Sequence, residues 1–481
     1  MQKYRNIHKI LIYAFLPLIS GLSSCKENVF YTNSDAKLAF SANMIEFDTV
    51  FTSVNTITKV LKVRNPYKSD IKTDIVLAGG ATSYFSINVD GVSARQFKDV
   101  EIPAQDSIFI FIKANINPNG VDNPMLVCDT IAFFTNGNRQ NVELLAHGQD
   151  AYFIIPNDTL HIEGAQDIPY RIVADEGQEV IWKNDKPYVI YGFAVVESNA
   201  KLTIEKGARI CVHKGGILWV YVDGCLEVNG TKDEPVTFQG DRLDNWYDPD
   251  YKQWDRIWIC ESDKDSKINY AIIKNAAIGI QAETLEAKKN NKLTISNTII
   301  KSCQIGLLSK TYTIEAYNNV FSNCENYCAA LTQGGNYTFT NNTIYNQCVV
   351  KNRPTPALFL SNYYAYSQTE IIFDNFSGAF VNNIISGKIN DDNGKEFDYD
   401  YVKGAAFSAS FENCLIRTKS ERLTAPISEA NTLLNRNPDT DSNFKLKSTS
   451  PCIKAGKYVP WLMVDIENNA RSNPPSIGAY E

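Results

Sequence analysis

Between residues 201 and 230, apolar and polar positions alternate in four short runs, each closed by glycine: KLTIEKG (201–207), ICVHKG (210–215), LWVYVDG (218–224) and LEVNG (226–230). A period of two, broken every few residues, is the pattern of short strands with one face in and one face out. Further along, the chain repeats itself. Residues 268–280 (INYAIIKNAAIGI) lie almost letter over letter on 295–307 (ISNTIIKSCQIGL). The core recurs at 318–324 (NNVFSNC) and 342–348 (NTIYNQC), and more loosely at 382–385 (NNII) and 413–416 (NCLI). Measured from Tyr270, which holds the Asn position in the first copy, the steps are 27, 21, 24, 40 and 31 residues. Helical i, i+3, i+4 spacing is absent from these copies. A period of this size predicts a solenoid whose units bury their apolar faces by stacking, and the short strands predict a right-handed parallel β-helix with three sheets. Stacking is expected to align Asn297, Asn318, Asn342, Asn382 and Asn413 at one bend, amide over amide. It is also expected to stack Cys303, Cys324 and Cys348, each six residues after its Asn.

Ahead of the solenoid, residues 37–150 carry alternating segments with turn signals, among them MIEFDTV (44–50), TKVLKVRNP (58–66), SIFIFIK (107–113) and DTIAFF (129–134). About 110 residues of this kind predict a β-sandwich. FDTVFTSV (47–54) followed by VLKVRNP (60–66) resembles immunoglobulin-like domains of the spindle-protein and hydin type. The expected order is therefore all-β: an immunoglobulin-like sandwich (37–150), a transition or cap (151–190), a β-helix (191–436) and a closing segment (437–481). Pro156, Pro169 and Pro187 break up the transition, in which EGQEVIW (176–182) is either the first strand or a lid. GTKDEPVTF (230–238) resembles the corner G-T-x-x-x-P-V-x-F of bacterial β-helix lipoproteins. At the end, Asp465, Arg471 and IGAYE (477–481) resemble the terminal segment of surface β-helix proteins, with Asn468 where Gly is usual. That segment is expected to hide the solenoid's last open edge. The resemblance implies a cell-surface lipoprotein of the Bacteroidetes type, with a pectate-lyase-like helix and no agreed activity.

Net charge is −7, and no basic block exists, which excludes nucleic acid as the expected partner. Ten of the eleven cysteines lie beyond the leader, but their rung positions read as small buried fillers rather than a disulfide framework. The chain is expected to be a monomer.

Candidate chemistry gathers in residues 241–255, which interrupt the rungs. Trp246, Tyr247, Tyr251 and Trp254 stand there, with Trp219 and Tyr221 on outward positions of a preceding strand. Aromatic faces stack on sugar C–H surfaces while Asp and Asn side chains bond hydroxyls, so glycan binding, or an adhesion or scaffold role, is the leading reading. Where relatives close this loop with W-G-G-I, this chain has Trp254-Asp-Arg-Ile257, a departure from the pattern. The alternative is a polysaccharide lyase or glycoside hydrolase. For that chemistry Asp241, Asp244 and Asp248 are the acids that would hold a Ca²⁺; no other cofactor is implied. The polygalacturonase motifs are missing, and no His follows residue 213. A second interrupting stretch spans 353–369, and further acids, Asp391, Asp392, Glu396, Asp398 and Asp400, lie in a third, 388–403.

Lys3, Arg5 and Lys9 precede an apolar run (10–19), and LSSC (22–25) follows. The run is too short to span a bilayer comfortably, and LSSC resembles a bacterial lipobox. This implies cleavage after residue 24, lipidation of Cys25, a tether (25–36) and an outer-membrane, surface-exposed protein held by its acyl chains. Cleavage removes three basic residues and takes the charge from −7 to −10. Asp48-Thr49-Val50, Asp106-Ser107-Ile108, Asp129-Thr130-Ile131 and Asp158-Thr159-Leu160 share one order of acid, hydroxyl and aliphatic residue. They resemble the O-glycosylation acceptor of exported Bacteroidetes proteins. Intact mass of protein from its native host checks both modifications: Cys25→Ser should lose the acyl mass and leave the membrane fraction. Replacing Thr49, Ser107, Thr130 and Thr159 by Ala should remove any hexose ladder. A wild-type mass equal to the bare polypeptide would end both ideas.

Overall fold

Alternating segments become strands throughout, and the 3-10 turn at Gly80–Thr82 is the one helical element among the described residues. The computed structural model describes residues 30–51, 58–116, 125–162, 164, 166–242, 251–286, 292–347, 353–367, 370–389 and 394–481. They divide into two units between Gln149 and Asp150.

In the first unit, two five-stranded sheets face one apolar core. Every second residue of Ile71–Leu77 is buried, as a sheet with one wet face requires. Leu61 and Phe85 from one sheet meet Phe47 and Phe133 from the other, with the Phe47 and Phe85 rings 5.9 Å apart. The result is a β-sandwich. Of the Asp-hydroxyl motifs, Thr159 is exposed, Ser107 and Thr130 are half-buried, and the side chain of Thr49 lies outside the described residues. At Ser107, Thr130 and Thr159 the preceding Asp carboxylate accepts the hydroxyl residue's own N–H, at 2.7 Å each.

The second unit is the β-helix. One sheet of eleven parallel-stacked strands and a second of eighteen strands wind around a single core. Each coil adds three runs. The first run belongs to the eleven-stranded sheet, and the second and third share the larger one. They share it because Ile305–Tyr317 and Ala329–Thr340 continue round the corner, bending at Thr311 (φ 51°) and Gln333 (φ 62°). Parallel pairing starts at Tyr152–Ile154 and Ile168–Ala174, and Glu179–Trp182 is a third-run strand. The stretch read as a transition is thus the first coil. The long steps hide no missing rung either. Leu358–Ser361 and Phe397–Asp400, inside stretches read as interruptions, pair with each other in the second run.

Inward positions stack by type. Ile273, Ile300, Phe321, Ile344, Ile385 and Ile416 form one fully buried column through successive coils. Each side chain contributes roughly 1.5–3 kcal/mol of burial. Phe339, Phe380 and Phe411 form another, with ring centroids 5.3 and 4.6 Å apart.

The Asn corner is a double ladder, one residue out of the expected register in one coil. Strand pairing sets Val320 against Thr343 and Thr343 against Ile384. Asn341, and not Asn342, is therefore level with Asn318 and Asn382. Tyr270, Asn297, Asn318, Asn341, Asn382 and Asn413 all have φ between 49° and 57°, a left-handed turn that Asn tolerates better than most residues. Behind them runs an inner ladder of Asn319, Asn342 and Asn383, each 0% exposed. Asn342 Nδ2 donates to Asn383 Oδ1 (3.0 Å) and to the Ala316 carbonyl (2.9 Å). Its Oδ1 accepts from Asn319 Nδ2 (2.9 Å) and the Asn319 backbone N–H (3.0 Å). The same slip affects the sulfur column. Cys303 and Cys324 are buried at equivalent positions, but counting on from the Ser322–Tyr345 pair brings Gln347 level with Cys324; Cys348 lies outside the described residues. All nine described cysteines are free.

The closing segment lies along the solenoid's side and not over its end. Its backbone or side chains take hydrogen bonds at Tyr270 (Asn468), Asn318 (Val464), Asn341 (Ser476), Asn382 (Lys457) and Asn413 (Ala455). Phe444, Ile466 and Tyr480 cover outward Val320 and Tyr345, and Cys452 and Ile477 cover Ile384 and Leu415. Arg471 Nη2 donates to Asn318 Oδ1 (2.7 Å) and to the Gly478 carbonyl (3.1 Å). Buried Asp465 accepts the N–H groups of Glu467, Asn469 and Glu481. Asn468 sits at φ 62°, which explains the usual Gly at this position.

Asn342→Ala should lower stability by about 1–3 kcal/mol, because it leaves buried partners unpaired. Asn157→Ala, at an exposed position, should stay within roughly 0.5 kcal/mol. Equal denaturation midpoints for the two variants would contradict the inner ladder.

Candidate functional site

Strand register orders the outward positions of the second run into columns, partly exposed at Trp219, Trp258, Phe359 and Asp398 and buried between them. One column reads Val195, Trp219, Trp258, Gln281, Leu308, Ala330, Phe359 and Asp398. Trp219 and Trp258, one coil apart, stack with centroids 5.0 Å apart at 12°. Tyr221 meets Trp219 edge-on at 5.2 Å. Trp219 Nε1 donates to Cys260 Sγ at 3.4 Å, while Trp258 Nε1 has no partner among the described residues.

Trp219 and Tyr221 form the floor of a cleft of about 220 Å³, walled by Leu160, Ile168, Tyr170, Val195 and Glu197. Leu160 and Ile168 come from the antiparallel pair Asp158–Leu160 and Ile168–Ala174. Tyr170 donates its hydroxyl hydrogen to Asp158 (3.2 Å). Burial pushes the Tyr221 hydroxyl above its ordinary pKa. The carboxylate of Glu197 has no hydrogen-bond or ion-pair partner among the described residues.

Along the same face the aromatic surface gives way to a chain of polar contacts. Asp255 holds Arg256 (2.8 Å), Arg256 donates to Gln281, and Gln281 donates to Glu283. Glu283 pairs with Lys310 at 3.0 Å, with both side chains under 10% exposed. Lys310 also lies 4.4 and 4.8 Å from the Tyr364 and Tyr366 ring centroids. Those tyrosines belong to the hairpin Tyr363–Ala365 and Ile371–Phe373. Each carboxylate in this chain is engaged by a cation or an amide. That suits a fixed recognition surface better than the free acid–base pair a glycosidase needs.

The other sequence candidates divide. Trp246, Tyr247, Asp244 and Asp248 lie outside the described residues, as does Cys25. Trp254 faces inward: it is 1% exposed in the helix core, with its indole N–H on the Lys274 carbonyl (2.8 Å). It lies in that core together with Ile257 and Ile259. Tyr251 is half-buried where the loop returns. Asp241 holds His213 at 2.6 Å. No cluster of three or more His, Cys, Asp or Glu able to hold a metal occurs among the described residues.

The sequence pattern did not single out a partner for His213. The pairing was legible in the coil step, since Ile210 is paired with Phe238 and the next residues round the corner must approach. The Asp241 hydrogen bond raises the His213 pKa, and the Tyr191 ring packs 4.7 Å away. Burial pushes the Tyr191 hydroxyl up to about 12. The inner end of the 388–403 stretch was also unforeseen: Glu396 is fully buried against Arg353 at 2.7 Å and accepts the Ile389 and Ala357 N–H groups.

No family model matches the chain, and no curated protein matches it. Among solved structures, the catalytic unit of a thermostable family 87 alpha-1,3-glucanase from Streptomyces thermodiastaticus covers 78% of this chain and 89% of its own, at 10% identity and a TM-score of 0.26. The catalytic domain of a family 87 alpha-1,3-glucanase in complex with nigerose covers 76% and 82%, at 10% identity and a TM-score of 0.15. A family 123 glycoside hydrolase from Clostridium perfringens covers 24% of this chain, at 7% identity and a TM-score of 0.17; the chain spans 30% of that enzyme. Likeness at this level carries no functional argument.

A titration of His213 followed by NMR should show a pKa above 6.5, falling in Asp241→Asn. The folded-state pKa is the raised one, so the pair's stabilisation is present below the unfolded value and is lost as pH rises through the folded value. An unchanged pKa in the variant would contradict the pair.

Proposed function

We propose that the second-run face is a saccharide-binding surface. The observation that carries this is Glu197, an unpartnered carboxylate beside the rings of Trp219 and Tyr221 in one cleft. Aromatic faces take the C–H side of a sugar ring, and a free carboxylate accepts its hydroxyl hydrogens. At about 220 Å³ the cleft is below the range of roughly 300–1,000 Å³ for larger ligands. It suits a single ring or a chain end.

With the lipobox resemblance, the reading becomes a lipid-anchored surface protein that holds glycan near the cell. No helix among the described residues is long and apolar enough to cross a membrane, and anchoring falls to Cys25 in this proposal. Hydrolysis is the second reading, and the same carboxylate favours it, since an acid beside a bound ring is the first requirement of glycosidic cleavage.

A glycan array decides whether sugar binds. Trp219→Ala should weaken any neutral-saccharide hit by about tenfold or more, the scale of losing a stacked aromatic anchor. Glu197→Gln should weaken it less. Release of reducing ends by wild-type protein, lost in Glu197→Gln while binding persists, would make the surface catalytic. No neutral saccharide bound by wild-type protein, or neutral-saccharide hits indifferent to Trp219→Ala, would overturn the proposal.

A further inference from the structure

The corner that follows the first run in the last coils forms an open groove of about 690 Å³. Four cationic side chains line it: Lys388, Arg417, Lys419 and Arg436. Register explains their meeting. Ile385 pairs with Ile416, and Ile416 with Leu434. Counting on, Lys388 falls level with Lys419, and Thr418 with Arg436. Adjacent rungs are roughly 4.8 Å apart, a spacing at which like charges repel. Arg417 is partly satisfied by the Gly387 carbonyl, but no carboxylate pairs with Lys388, Lys419 or Arg436 among the described residues. In a chain of net charge −7, four cations around one groove make a local surface complementary to an anion.

We infer that this corner binds an acidic saccharide, with sugar carboxylates on the cations and sugar hydroxyls on Ser386 and Thr418, which line the same groove. The volume is inside the range of roughly 300–1,000 Å³ typical of ligand sites and far exceeds what one inorganic anion fills. Nucleic acid is disfavoured, because the cations form a compact corner and the protein is acidic overall. The inference does not depend on the aromatic cleft, which is lined by different coils.

Calorimetric titration with tetragalacturonate, its carboxyl-reduced neutral counterpart and inorganic sulfate tests it. The variants are Trp219→Ala and the triple Lys388→Ala, Lys419→Ala, Arg436→Ala. All three basic side chains are exposed, so the triple variant should fold, which circular dichroism checks. Tetragalacturonate should bind wild-type protein and weaken with salt. It should bind at least about tenfold more weakly to the triple variant, and equally well to Trp219→Ala. Absence of binding would overturn the inference. So would equal binding of the neutral sugar, sulfate binding as tight as the tetramer, or an affinity that follows Trp219 instead of the cations.

Discussion

Everything in the second unit depends on how the chain turns the Asn corner. From Tyr270 to Asn431 a left-handed residue at each of these turns reverses the backbone sharply. Asn319, Asn342 and Asn383 hold the corner from inside, each donating to a carbonyl of the coil before it and linked amide to amide with one another. The ladder thereby fixes where one coil sits on the one below. With that register set, inward columns become uniform and outward columns are free to differ.

That freedom is used unevenly. The outward side of the first run is apolar at Val320, Ile384 and Leu415, because the closing segment covers it. Along the second run the columns change character: paired indoles, then a chain of ions and amides. Parallel sheets are usually covered on both faces. Here only part of that cover is present, and the uncovered part carries the chemistry.

Much of this was legible in the sequence. Alternation and glycine breaks gave the early rungs, the repeat gave the solenoid, and both Trp219 and Tyr221 are outward-facing as expected. What was lost has identifiable causes. Two adjacent Asn residues at 341–342 made a one-residue slip invisible to pattern matching, and it carried Cys348 into the wrong column. Strict alternation fails between Trp254 and Ile257, both buried three residues apart, so parity counted back from Trp258 misplaces Trp254. The Glu197 cleft needed the Asp158–Leu160 pair to fold against the first coil, and proline-rich irregularity hid that pair. Contacts such as Tyr270–Asn468 join residues 198 apart, and no local pattern encodes them.

The closing segment has a consequence for how the molecule opens. An array in which each coil touches only its neighbours behaves as a one-dimensional chain, able to fray from an end coil by coil. Bonds from one short segment to coils at Tyr270, Asn318, Asn341, Asn382 and Asn413 bridge the very junctions at which such fraying would proceed. Loosening any of these coils then requires detaching the segment from the others. The second half of the helix is accordingly a single cooperative block with a high barrier to partial opening, assembled late, because its fastener finds a seat only after the coils beneath it have formed.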